Sequence, residues 1–169
     1  VKLQAVEGSV CSGCYAMKGR YRFSNVKEAL NRRLNSLNHP QWIEAIVTLI
    51  SHYSKKVPYF RWHDSGDLQG AQHLKNIFEV CNRTPETSHW MPTREAKLFT
   101  LMQPEVVPKN LIIRMSSHMI DQAPVKFWPW TSTVVQTANT CPARDQGNEC
   151  GSCRQCWDKG VSNVAYPKH

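Results

Sequence analysis

Six of the seven cysteines in this 169-residue chain lie near its two ends, at spacings that suit metal–thiolate chemistry. Cys11 and Cys14 sit one helical turn apart in "SVCSGCYAMKGRYRF". Cys141, Cys150, Cys153 and Cys156 follow C-x8-C-x2-C-x2-C, four thiols within sixteen residues. Tetrahedral zinc sites close on paired C-x2-C knuckles. Iron–sulfur clusters use runs such as C-x2-C-x2-C with a distant cysteine beside proline. Here the run of three has Cys141, followed by Pro142, as its distant member. That pattern favours an iron–sulfur cluster, [4Fe-4S] ahead of [3Fe-4S], with zinc as the alternative. A disulfide framework fits poorly, because the cysteine number is odd, the chain is long and no export signal precedes it. The expectation is that segments 9–16 and 140–157 meet at one metal site. Cys11 and Cys14 have two other readings, a second cluster completed by non-cysteine or upstream ligands, and a zinc knuckle split between the ends. The chain opens at Val1 rather than Met, which leaves room for an upstream ligand. Cys81 falls inside a helical pattern and reads as a small buried hydrophobe.

A second set of residues could bind a ligand. "HDSGD" supplies His63, Asp64, Ser65, Gly66 and Asp67; Arg94 follows "HWMPT", with His89 and Thr93 beside it; Arg114, Ser116, Ser117 and His118 close "IIRMSSH". Gly66 permits a close backbone approach or a positive φ. The two aspartates suit an amine, a ribose diol or a hard cation. Asp67 has an equal reading as the cap of the following helix, and Arg94 as one half of a rim salt bridge.

These clusters converge only if the elements before them are parallel strands. "SNVKEALNRRLNSL" and "QWIEAIVTLISHY" have helical spacing, the second more apolar and so more buried, and "AQHLKNIFEVC" repeats the pattern. "VPYFRWH", "TSHWM", "NLIIRMS" and "TSTVVQT" read as strands, with "PT" a turn and "REAKLFTLM" a short helix. Alternation of strand and helix predicts parallel strands joined by right-handed crossovers. Four strands are too few for a closed barrel, so the expectation is a single α/β domain over 1–169, an open or partial parallel β/α barrel or a small doubly wound sheet. Its ligand site would lie beyond the carboxyl ends of the strands.

Composition narrows the partners. The formal charge is +8, from 21 Lys+Arg against 13 Asp+Glu, which favours polyanions and nucleic acid above all. No segment has the length of apolar sequence that a membrane span needs, so no membrane partner is expected and the chain is placed in the cytoplasm. Length alone allows a core without metal.

The motifs "CSGCYAMKG", "FRWHDSGD", "HWMPTRE", "IRMSSHM" and "CPA…C..C..CW…YPKH" resemble the bacteriophage gene product eighty-eight family over nearly the whole chain. That resemblance implies a phage protein working in the infected host cell. The "CxxCYA" opening before α/β alternation is also remotely similar to radical S-adenosylmethionine proteins. Those hold a [4Fe-4S] cluster through C-x3-C-x2-C at the top of a partial barrel. Cys11, Cys14 and Tyr15 match the end of that motif, but Glu7 occupies the place of its first cysteine. "HDSGD" corresponds by position to the stretch that binds S-adenosylmethionine there. The departure weakens the case for S-adenosylmethionine and for catalysis more than the case for a cluster.

Three function classes follow. The first is an iron–sulfur protein of redox or radical role, with an electron donor as partner and the His63–Asp67 rim, Arg94 and His118 holding a small ligand. The second is a basic nucleic-acid-binding protein with a structural metal, drawing on Lys18–Arg22, Lys27–Arg33 and the interleaved Tyr15, Tyr21 and Phe23. The third, a zinc hydrolase using the histidines, ranks last because His63, His89 and His118 form no recognisable zinc motif. No phosphate loop or serine elbow is present.

Overall fold

The computed structural model describes residues 2–168. Five strands, β1 (Tyr59–Arg61), β2 (Ser88–Thr93), β3 (Leu111–Ser116), β4 (Thr131–Val135) and β5 (Asn163–Pro167), form one sheet in the order β1-β2-β3-β4-β5. Every neighbouring pair is parallel. Parallel strands laid down in sequence order curl the sheet the way a barrel curls, and five of them make an open half-barrel. The partial-barrel expectation therefore holds.

Three helices accompany the sheet: α1 (Ser24–Ser36), α2 (Trp42–Ser54) and α3 (Ala71–Arg83). The amphipathic spacing of α3 buries Leu74, Ile77, Val80 and Cys81, so Cys81 is the core residue its pattern predicts. The α2 helix buries Ile50 and leans Trp42, Ile43, Ile46 and Val47 on the core. Because side chains alternate along a strand, Met91, Leu111, Ile113 and Met115 project to the helix side and complete that core with Phe99 and Trp128. The opposite, inner face presents Trp90, Arg114 and Val164.

Three sequence expectations need correction. The "PT" turn is strand, because β2 runs through Pro92 to Thr93 and pairs Pro92 with Arg114. "REAKLFTLM" yields only a single 3-10 turn, Ala96–Leu98. The fifth strand, β5, lies in the tail that its cysteines make look irregular.

Candidate metal and ligand site at the half-barrel

The connection from β4 to β5, residues 136–162, carries all four tail cysteines and crosses the inner face of the sheet. Its anchor is Arg114. This side chain is fully buried, with 0 % of its surface exposed. Its Nε donates to Cys156 O at 3.1 Å; Nη1 to Thr131 O at 3.3 Å and Val161 O at 2.9 Å; Nη2 to Gln155 O at 2.7 Å and Asp158 O at 3.0 Å. A guanidinium has five N–H donors, and all are used on carbonyls. No carboxylate forms an ion pair with it among the described residues. Burial lowers the pKa of Arg114, yet a guanidinium remains charged at any physiological pH. The inner face thus holds a desolvated positive charge with no anion bonded to it. The sequence reading had put Arg114 at the rim; the structure puts it mid-strand, under the loop.

Two of the tail cysteines, Cys156 and Cys141, lie on this inner face. Cys156 is buried and packs with Trp90 and Val164, while Cys141 and Trp157 lie against the same cluster. The Sγ of Cys156 is 3.0 Å from the Tyr166 hydroxyl. Burial pushes the Cys156 thiol up to about 11, opposed by Tyr166 and Arg114. Cys141 is raised by burial first and then by the charges of Cys150 and Cys153. The loop is fixed by Cys141 N–H donating to Ala165 O at 3.0 Å and Trp157 Nε1–H to Phe60 O at 3.1 Å. Four thiols therefore share one loop over a buried cation. A thiolate metal centre is anionic, and this is the donor set and the field that suit it. Among the described residues no three His, Cys, Asp or Glu side chains stand close enough together to hold a metal ion. Binding there would be coupled to closure of the loop, as ligand gathering and metal binding commonly are.

Cys11 and Cys14 sit elsewhere. Val10 N–H donates to His118 O at 2.9 Å, and Ser9 pairs with Met119, so this segment docks just beyond the carboxyl end of β3. The hydroxyl of Tyr15 donates to the Asp64 carbonyl and that of Tyr21 to the Asp64 carboxylate. The hydrogen bond to Asp64 holds the Tyr21 phenol up at about 12. The N-terminal pair lies on a segment docked at the rim, and the tail cysteines lie on a loop over the inner face.

The rim gathers the ends of β1, β2 and β3. Asp67 does not cap α3, whose N-cap is Gly70 at φ 131°. Its Oδ1 accepts from Thr93 Oγ1 at 2.6 Å and Leu68 N–H at 2.7 Å, and its Oδ2 from Arg94 N–H at 2.7 Å. Asp67 is therefore the clip between the β1 and β2 ends. Among the described residues Arg94 forms no salt bridge; its Nε donates to Ser117 O at 3.4 Å. His63 has φ 59°, a conformation costly for a side chain with a Cβ. Both its ring nitrogens are buried without a hydrogen bond. Burial lowers its pKa, only partly opposed by the Asp67 carboxylate and the nearby Pro92 carbonyl. Ser65 and Gly66 (φ 91°) form the turn between the aspartates. His118 lies on the rim, its carbonyl holding the N-terminal segment. His89 does not belong to the rim. It lies near the start of β2, facing the core, where its Nε2 meets Thr84 Oγ1 at 2.9 Å.

Arg61 joins the two levels. Its guanidinium lies 5.0 Å from the Trp90 ring centroid, and its charge acts on both Tyr15 and His63. Sequence reasoning missed Arg61, Trp90 and Tyr166. The period-2 alternation along β1, β2 and β5 was the signal, since it puts all three on the face opposite the helices.

Among the described residues no helix is long and apolar enough to cross a membrane. No curated protein and no solved structure matches the chain, and the remote similarity to radical S-adenosylmethionine proteins gains no support from either comparison. One family model does match, described as Gene product 88, and it spans residues 4–159. That is the phage family whose motifs the sequence carries in order, and the chain belongs to it.

Proposed function

We propose that this phage-family protein binds an iron–sulfur cluster through the cysteine loop on the inner face of the half-barrel, in a redox role. The observation that carries this reading is Arg114. Burying a charge without a counter-charge is costly, several kcal/mol even after relaxation. The loop carbonyls solvate the guanidinium, and an anionic thiolate centre would add the counter-charge they lack. The spacing C-x8-C-x2-C-x2-C, with proline beside the distant cysteine, favours iron–sulfur over zinc. Cys141, Cys150, Cys153 and Cys156 would hold the cluster, which when bound supplies one-electron transfer. Arg114 would set the loop and its field, and Trp90, Trp157 and Tyr166 would limit water. The rim of His63, Asp64, Asp67 and Arg94 would take a small ligand. Cys11 and Cys14 would serve that rim rather than the tail cluster, and S-adenosylmethionine is the ligand to try there.

The test is anaerobic purification, with iron, sulfide and zinc measured on the sample that gives the visible spectrum. Iron and sulfide in matching amounts, with a broad thiolate-to-iron absorption that Cys153→Ser abolishes and Cys11→Ser leaves, is the expected result. A colourless chain carrying one zinc overturns the cluster.

A further inference from the structure

We propose that residues 18–33 form a docking surface for single-stranded nucleic acid. This surface stands apart from the cysteine loop and does not depend on what that loop binds. The stretch holds six cations, Lys18, Arg20, Arg22, Lys27, Arg32 and Arg33, against one carboxylate, Glu28. Six less one gives +5 of the chain's net +8 within sixteen of its 169 residues. All six cations are exposed. None of them forms an ion pair among the described residues, where the Arg83–Glu44 pair is the one present. Such a concentration of unpaired charge is self-repelling, and a polyanion relieves it by releasing its own counterions.

The helix that carries half of these cations does little for the core. No residue of α1 is buried, although a helix of 13 residues is marginal without tertiary packing. It packs instead on the basic turn Gly19–Arg22. That turn is fastened to the rim by the Tyr21 hydrogen bond to Asp64. The basic tract is thereby held in a fixed place beside the ends of the strands.

The apolar side chains in the tract select the class of polyanion. Met17 and Phe23 are 55 % and 58 % exposed beside Lys18, Arg20 and Arg22. The exposed aromatic face of Phe23, set among cations, suits an unpaired base, which can stack on it, and offers nothing to a closed duplex. A membrane surface fits less well. On the apolar stripe of α1, Val26, Ala29 and Leu30 are half-buried and Leu34 is exposed, which leaves little apolar surface to enter a bilayer.

The experiment is fluorescence anisotropy of the full chain with a labelled oligo-dT strand, a hairpin duplex of equal charge, and phosphatidylserine vesicles in parallel. Six phosphate contacts on a single strand predict a log–log salt slope of about −4, so affinity falls about 300-fold between about 50 and 200 mM salt. The variant R20E/R22E/R32E/R33E should lose at least about 100-fold in affinity while its circular dichroism is unchanged, since all four arginines are exposed. The control K55E/K56E/K75E reverses three exposed lysines elsewhere and should bind as before. F23A should weaken binding about 5-fold with the salt slope intact, the size of one lost stacking contact. Equal loss in both charge variants, tighter binding of the duplex, or binding of vesicles in place of the strand would each overturn the proposal.

Discussion

Replacing Arg114 with methionine tests the centre of the structural argument. The substitution keeps most of the side-chain volume and removes all five hydrogen bonds, four of them to carbonyls of residues 155–161. Each carbonyl left without a donor costs about 1 kcal/mol, so the gross loss is about 5 kcal/mol. Removing a desolvated cation returns about 2 kcal/mol of that. The net destabilisation is about 3 kcal/mol, a large share of the roughly 5–15 kcal/mol that holds a domain together. For a chain of this size it lowers the melting temperature by about 6–12 °C. Arg114→Lys keeps the charge but offers fewer donors, and should fall between the two. Urea unfolding of metal-free protein measures stability, and hydrogen exchange at 155–161 shows whether the loss is in the tail. A methionine variant within about 0.5 kcal/mol of the parent chain, with exchange unchanged, would refute the reasoning: Arg114 would then not be what holds the loop. In metal-loaded protein the same variant should also lose cluster, because the charge facing the thiols is gone.

His89 makes stability depend on pH. Its pKa is lowered by burial to about 4 from 6.5, so its contribution is full above 6.5 and is lost as pH falls towards 4. The loss approaches about 3 kcal/mol, His73 adds to the same slope, and urea midpoints across that range should flatten in His89→Gln. Asp67→Asn keeps the shape but turns one acceptor into a donor facing the Arg94 N–H; a cost of about 2 kcal/mol is expected, and a melting temperature equal to the parent's would show that the clip is idle. Native alkylation at mildly alkaline pH should modify exposed Cys150 first and spare Cys81, whose thiol burial holds at about 12; peptide mapping that finds Cys81 modified in folded protein would contradict the packing.

Much of this molecule was determined by local pattern. Helical spacing located α1, α2 and α3, and Cys81 as a core residue, because an amphipathic period needs no knowledge of what it packs against. Four β-rich runs located β1 to β4; the expected alternation with helices pointed to parallel pairing, which holds although only the β1–β2 connection contains an α-helix. The cysteine spacing marked the chemistry before any fold was known. Sequence stopped where a residue's role depends on a distant segment. β5 is short and ends in Pro167, and among the described residues it pairs with β4 alone, so nothing local separates it from loop. His89 and Arg114 read as rim residues because each falls in the polar cluster that closes a β-rich run. In the folded chain β2 continues through Pro92, which turns His89 into a core residue. Arg114 is buried because carbonyls 41–47 positions further along the chain arrive to bond it. Only the tertiary structure could decide that the N-terminal cysteine segment docks at the end of β3 and that the tail loop crosses the inner face, since each placement is set by contacts with distant strands and not by any spacing within the chain.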